Sequence, residues 1–97
     1  MATFQEVADS IKTKIASAKN FKIGKTGQSV KERFDQEHCK NYNHYASMGT
    51  STDAKVIDEL ELFLIKEFIG YKNNDNDQHG GGEMTKSSTY SIYLCWN

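Results

Sequence analysis

Apolar residues recur at helical spacing over the first part of the chain. The letters TFQE form a capping box, in which the Thr3 hydroxyl accepts from an amide three residues on and Glu6 reaches back to the cap. The apolar residues that follow recur every three or four positions and so share one face: Phe4, Val7, Ala8, Ile11 and Ile15. This spacing predicts a helix over about residues 4–19 that packs against the rest of the domain.

The spacing of apolar residues changes from helical to alternating at NFKIG. Phe21 and Ile23 lie on one side, and Lys22 and Gly24 lie on the other, which is typical of a short strand. The letters KTGQ then predict a turn, and SVKE forms a second capping box. The segment FKIGKTGQS is therefore predicted to be a strand, a turn and the start of a helix that continues to about Cys39.

Two further segments alternate in the same way. The segment NYNHYASMG puts four side chains on one side of a predicted strand: Tyr42, His44, Ala46 and Met48. The segment STYSIYLCW predicts a closing strand whose two sides carry different residues, with Tyr90, Ile92, Leu94 and Trp96 on one and Ser91, Tyr93 and Cys95 on the other.

The longest helix is predicted within STDAKVIDELELFLIKEFIG. Ser51 or Thr52 supplies its N-cap, and Gly70 ends it. A wide arc of its surface is apolar, formed by Val56, Ile57, Leu60, Phe63, Leu64 and Phe68 and widened by Leu62, Ile65 and Ile69. An arc of this width predicts that the helix is covered on most of its sides.

Three short strands and three helices predict an α+β fold in which the helices flank a small three-stranded antiparallel sheet. The length of 97 residues is that of one domain, expected to extend over residues 1–97. The stretch NNDNDQHGGG predicts a mobile loop over about residues 72–86.

Charge and cysteine content limit the classes of function. The formal net charge is −1, from 12 basic and 13 acidic residues, so any contact with nucleic acid must be local. Cys39 and Cys95 form no CxxC pair, which argues against a zinc ribbon or a disulfide scaffold and favours a reduced, cytoplasmic chain. No apolar run approaches the roughly 20 residues that cross a bilayer, so no membrane association is expected.

Several familiar site motifs are excluded because the chain lacks a residue or a spacing that each of them requires. A phosphate-binding Walker loop would need a glycine where this chain has Lys19. Asp75 and Asp77 imitate the start of a calcium-binding EF-hand loop, but the final ligand position holds Lys86. The histidines and cysteines show none of the standard spacings of a metal site.

The remaining signature resembles the GIY-YIG nuclease family. In that family a YIG-type strand is followed by an arginine on the next helix and by a metal-binding glutamate on a later one. The segments FKIGKTGQSVKERF and ELFLIKEF are similar to these two parts, with Gly24 matching the motif glycine, Arg33 the arginine and Glu61 the glutamate. The resemblance covers roughly residues 20–76.

The chain departs from the family pattern in two places. The tyrosine position of the second motif holds Lys22, and a helix stands where the first GIY strand is expected. The C-terminal letters SIY could occupy the vacated strand, which would put Tyr93 in the place of the general-base tyrosine. Three residues are candidates for the asparagine late in the family motif: Asn73, Asn74 and Asn76.

The resemblance implies a metal-dependent endonuclease that hydrolyses nucleic-acid phosphodiesters, with DNA as the expected substrate. This chemistry needs neutralisation of the phosphate charge, an activated water and usually a hard cation. Arg33 would clamp the phosphate, and Glu61 would hold Mg²⁺ or Mn²⁺. Tyr93 or a metal-bound hydroxide would take the proton of the water.

The nucleic acid would meet the end of the first strand. Lys22 and Lys25 would add positive charge there, and a phosphate could approach over Gly24 because Gly24 and Lys22 share a strand face. Asn76 is assigned to nucleic-acid binding as well.

Each of these residues also has a purely structural interpretation. Arg33 could pair with Glu37 on an exposed helix, while Lys22 and Tyr93 could lie on the wet face of a strand. Glu61 falls inside the apolar arc of the long helix, where an unpaired carboxylate is costly, but Glu67 falls within the same arc.

Two other functions therefore stay open. One is a non-catalytic module on the same fold that binds nucleic acid or a protein. The other is a small interaction protein that forms a homodimer through its aromatic strand, which carries Tyr90, Tyr93 and Trp96.

Overall fold

The computed structural model describes residues 3–27, 29–35, 42–74 and 86–97. The described elements are, in chain order, α1 (Phe4–Ile15), β1 (Phe21–Thr26), α2 (Val30–Arg33), β2 (His44–Ser51), α3 (Ala54–Phe68) and β3 (Tyr90–Trp96). The predicted α+β class, with three helices and a small three-stranded antiparallel sheet in the described part of the chain, is confirmed. No helix among the described residues has both the length and the apolar character needed to cross a membrane.

The C-terminal strand β3 lies in the centre of the sheet, whose order is β1-β3-β2. Both of its neighbours pair with it in the antiparallel sense, and Tyr93 is opposite Gly24 on β1 and opposite Ser47 on β2. Because both sides of β3 are hydrogen-bonded, this strand cannot provide the free sheet edge that a homodimer through Tyr90 and Tyr93 would use.

The helices cover the sheet on both faces. α1 and α3 cover one face, where they enclose the larger core, which includes Ile11, Ile23, Leu60, Leu64, Phe68, Ile92 and Leu94. α2 covers the other face with a smaller cluster of Phe34, Tyr42, Tyr93 and Cys95. The alternation predicted for β3 is therefore correct, because its even-numbered residues face the larger core and Tyr93 and Cys95 face the smaller one.

α1 has the predicted capping box but is shorter than the spacing indicated. The Thr3 hydroxyl accepts from the Glu6 amide at 3.1 Å, and the Glu6 carboxylate accepts from the Thr3 amide at 3.2 Å. The helix ends at Ile15. The chain then turns towards the end of β3, where the Lys19 amide donates to the Asn97 carbonyl at 2.8 Å, so it cannot continue as a helix to residue 19.

The predicted start of α3 was wrong, and its end lies just before the predicted Gly70. Ser51 still belongs to β2, so the N-cap is Asp53, whose carboxylate accepts from the Lys55 amide at 2.9 Å. At the other end the helix stops at Phe68, whose carbonyl accepts from the Asn74 side-chain amide at 3.0 Å. No described glycine has a positive φ, so Gly70 is not a left-handed cap.

α3 is covered on most of its sides, as predicted, but two residues of the predicted apolar arc are not. Leu62 is 51% exposed and Ile69 is 55% exposed, whereas Ile57, Leu60 and Leu64 are fully buried. The helix packs on the sheet and α1 with one face, and Leu62 and Ile69 lie outside that contact.

β2 differs from its predicted pattern at both ends. The strand begins at His44, so Tyr42 lies before it and packs into the smaller cluster with Tyr93. A bulge between Ser47 and Gly49 shifts the register, and the strand continues to Ser51. The bulge leaves Met48 packed against the larger core.

The start of the predicted loop over residues 72–86 is tied to the sheet. The Phe21 amide donates to the Asn73 carbonyl at 3.0 Å, and Phe21 and Asn74 form a parallel bridge. Residues 75–85, and with them Asn76, lie outside the described part of the chain.

A close approach of Tyr93 explains the glycine at position 24. A Cβ built on Gly24 would overlap with the ring and hydroxyl of Tyr93, which is 3% exposed and packed against Phe34 and Cys95. The Tyr93 ring therefore fits in this position only because Gly24, its cross-strand partner, has no Cβ.

We expect Gly24→Ala to lower the free energy of unfolding by about 1–3 kcal/mol, because the buried Tyr93 ring must shift to admit a methyl group. Urea denaturation measures the change. Gly70→Ala is the matched control, because a Cβ at Gly70 meets nothing within 4 Å and the backbone there is not left-handed; it should be neutral or slightly stabilising. Equal stabilities of the two variants would contradict the role assigned to Gly24.

Candidate functional site

Lys25 lies between two carboxylates of α3. Its Nζ is 2.8 Å from Asp58 Oδ1 and 3.3 Å from Glu61 Oε1. The two acidic residues are three positions apart, which puts them on the same side of the helix. The side chains of Lys25 and Glu61 are 10% and 5% exposed, and that of Asp58 is 50% exposed. Lys25 and Glu61 thus form a buried ion pair with Asp58 at its solvent edge.

The ion pair keeps Lys25 charged. Burial by itself lowers the pKa of Lys25, but the hydrogen bond that its ammonium donates to Asp58 and the charge of Glu61 outweigh it and raise the pKa above its ordinary value of 10.5. Lys25 therefore carries a positive charge throughout the physiological pH range and is a permanent counter-charge for the two carboxylates.

Tyr93 lies on the opposite face of the sheet. Its ring covers Gly24, so the approach of a phosphate over Gly24 that the sequence suggested is blocked by the ring itself. Tyr93 is buried in the cluster with Phe34 and Tyr42, so the wet strand face considered for it was wrong.

Lys22 lies on the same sheet face as Tyr93, directly opposite Cys95. Lys22 is half-buried and Cys95 is fully buried. Burial raises the pKa of the Cys95 thiol to about 12, and the positive charge of Lys22 opposes this rise. Cys95 is therefore a neutral thiol at physiological pH and behaves as a small core residue.

β1 separates the predicted site residues into two groups. Because strand residues alternate between faces, Lys25 meets Glu61 on the α3 side, whereas Lys22, Gly24 and Tyr93 face the α2 side. Arg33 ends α2, on the Tyr93 side of the sheet, and its side chain is outside the described part of the structure, as is Glu37.

Two of the candidate asparagines have structural contacts. The Asn73 side-chain amide donates to the Ala18 carbonyl at 3.2 Å, and that of Asn74 donates to the Phe68 carbonyl at 3.0 Å. These bonds tie the chain after α3 to the segment before β1 and to the end of α3. Asn76, the residue assigned to nucleic-acid binding, is outside the described residues.

The described residues do not fit the metal ion that the resemblance implies. Among them, no group of three or more His, Cys, Asp or Glu could hold a metal ion. Glu61 and Asp58 supply two carboxylates, but the Lys25 ammonium is the cation between them. A Mg²⁺ ion bound to Glu61 Oε1 at roughly 2 Å would lie within about 5.5 Å of the ammonium, where like charges repel.

The pairing of Lys25 with Asp58 and Glu61 was not predicted. Lys25 was placed in a turn and assigned to a phosphate, whereas β1 continues to Thr26 and its alternation puts Lys25 on the same face as Phe21 and Ile23. Lys25 is a charged residue on an otherwise apolar strand face, and Glu61 is a charged residue on an otherwise apolar helix face. Because their charges are opposite and a buried charge needs a partner, these two positions together indicate an ion pair.

A shallow groove lies at the far end of the sheet. Trp96 is stacked on His44 with ring centroids 5.4 Å apart, and the Lys14 Nζ is 5.6 Å from the indole centroid. The groove has a volume of about 230 Å³, and Ser17, Ala18 and Asn97 complete its lining. It combines aromatic surface, a cation and hydrogen-bonding groups.

Comparison with known proteins finds similarity to a viral protein. The chain is 34% identical over 80 residues to an uncharacterized protein of Acanthamoeba polyphaga mimivirus, and the match covers 78% of this chain. The chain spans 43% of the length of that protein. No family model matches the chain, and no solved structure matches it.

The buried Cys95 thiol predicts a loss of stability in alkali. Its folded pKa, about 12, is above the ordinary value of 9.0, so the thiol ionises first in the unfolded chain. This contribution to stability is intact below about pH 9 and falls by up to about 1.4 kcal/mol per pH unit above it. Urea denaturation between pH 8 and 11 should give a smaller alkaline slope for Cys95→Ala than for the parent. Parallel stability curves would show that the thiol does not titrate in this way.

Proposed function

We propose that this chain is a GIY-YIG-like module that binds nucleic acid, with DNA as the expected ligand, and does not cleave it. The position of the Lys25 ammonium carries this proposal. It lies 3.3 Å from Glu61 Oε1, so the carboxylate that the resemblance assigns to a metal ion already has a cation beside it. Cleavage by a metal-dependent nuclease needs that carboxylate for the metal, whereas binding of phosphates and bases does not. The proposed location is cytoplasmic, which the cysteine spacing supports.

The groove beside Trp96 supports the binding part of the proposal. Aromatic side chains with a neighbouring cation accept unstacked bases and the phosphates between them. His44 is exposed and stacked on Trp96, and Lys14 supplies the cation. The net charge of −1 is consistent with a local contact of this kind rather than a broad basic surface. Single-stranded DNA is therefore the preferred form of the ligand.

Trp96 is the single tryptophan of the chain, so its fluorescence reports directly on the groove. We expect a single-stranded oligonucleotide to quench this fluorescence at low salt. His44→Ala should weaken the binding about tenfold, because loss of one stacking surface costs roughly 1–3 kcal/mol. Lys31→Ala is the matched control, since Lys31 is on α2, on the other sheet face, and pairs with Asp35 at 2.8 Å.

The parent and Lys31→Ala should bind alike, and both should lose affinity as salt is added. Fluorescence that does not change with oligonucleotide, or equal affinities of the parent and His44→Ala, would argue against the groove as the binding site.

A metal-dependent endonuclease is the second candidate, and the burial of Glu61 favours it. Glu61 is 3% exposed on a helix whose buried face is otherwise apolar, and a carboxylate in such a place is costly unless it has a partner or a ligand. Nicking of supercoiled plasmid in Mg²⁺ or Mn²⁺ separates the two candidates. A non-cleaving module gives no metal-dependent nicking. Nicking by the parent that disappears in Glu61→Gln would establish the nuclease instead.

A further inference from the structure

The ion pair of Lys25 with Glu61 is more deeply buried than that of Lys31 with Asp35 or that of Lys12 with Glu67. Lys31 and Asp35 are 72% and 53% exposed, and Lys12 and Glu67 are 39% and 33% exposed. Exposed pairs of this kind contribute little to stability and are easily exchanged for water.

The side chains of Lys25 and Glu61 are instead 10% and 5% exposed. A carboxylate at this depth is costly without a counter-charge, and the fold supplies one from the neighbouring strand. Lys25 is fixed at that place by the alternation of β1, which turns its side chain towards α3.

We propose that Lys25 is the resident cation of Glu61 and Asp58, and that its ammonium occupies the place that a divalent metal ion would take on these carboxylates. One cation contacts both carboxylates in the structure, at 2.8 Å and 3.3 Å. Carboxylate oxygens are also the ligands that Mg²⁺ and Mn²⁺ prefer. The acidic pair is thus a latent metal site that the ammonium keeps closed.

The parent protein binds no divalent cation at Glu61, because the incoming ion would have to displace a buried ammonium. Lys25→Met removes the charge, keeps an apolar side chain of similar length, and leaves both carboxylates facing the vacated space. This variant gains a divalent site that the parent lacks.

Binding of Mn²⁺ alone, measured by the loss of the paramagnetic resonance signal of the free ion, tests this inference. We expect Lys25→Met to bind Mn²⁺ at least about tenfold more tightly than the parent, because a neighbouring positive charge is removed. The double variant Lys25→Met with Glu61→Gln should return to the weak binding of the parent. Lys22→Met is the matched control, since it removes the same charge from the other face of β1, and it should bind like the parent.

Thermal unfolding gives a second measurement. Lys25→Met leaves Glu61 without its ammonium, so this variant should unfold at a lower temperature than the parent. Mn²⁺ should restore part of the loss, because an ion that binds the folded state stabilises it by mass action. It should not raise the unfolding temperature of the parent or of the double variant.

Two results would overturn the inference. One is Mn²⁺ binding by the parent that depends on Glu61 and is as tight as that of Lys25→Met. The other is a Lys25→Met protein that stays unfolded with Mn²⁺ present, because a divalent ion then cannot take the place of the ammonium. No nucleic acid is used in these experiments, so their outcome is independent of the proposed DNA binding.

Discussion

The rest of the fold depends on the pairing of β3 with both other strands. Because β3 is central, its alternation decides which residues each face of the sheet presents to the helices. Ile92 and Leu94 are directed to α1 and α3, and Tyr93 and Cys95 are directed to α2. The cross-strand register then fixes β1, so that Gly24 meets Tyr93 and Lys25 is turned towards α3. The buried ion pair of Lys25 is a consequence of this register, since a shift of one residue would move the ammonium to the other face.

The sequence patterns predicted helices and strands well where residues close together in the chain determine the structure. The capping box at Thr3 and the alternation of β3 depend only on residues close together in the chain, and both are present as predicted. The predictions failed where tertiary packing decides the outcome. Leu62 and Ile69 extend the apolar arc of α3, but the sheet and α1 contact too narrow a part of the helix to cover them. Tyr42 has the spacing of a strand residue, yet it lies before the first residue of β2 and packs into the smaller cluster beneath α2.

The candidate site could be predicted from the sequence only one residue at a time. The apolar arc identified Glu61 as an exceptional carboxylate, and the resemblance drew attention to the segment with Lys25. Their partnership requires the relative position of β1 and α3, which no spacing within either segment contains. The same limit applies to the pairing of Gly24 with Tyr93. A glycine can leave room for a ligand or for a neighbouring side chain, and here the Tyr93 ring occupies the space that the missing Cβ leaves.

The ion pair also decides how the two faces of β1 can contribute to function. On the α2 side, Tyr93 is enclosed by aromatic side chains and Cys95 is kept neutral by burial, so this face has the properties of a core. On the α3 side, the charge of Lys25 is balanced by carboxylates, and its raised pKa keeps that balance across the physiological range. A phosphate could recruit Lys25 only by breaking contacts with Asp58 and Glu61, which would leave the buried Glu61 without its ammonium. The cost of that exchange makes Lys25 a poor phosphate ligand and leaves the surface beside Trp96, where aromatic and cationic groups lie together, as the better place for a nucleic acid to bind.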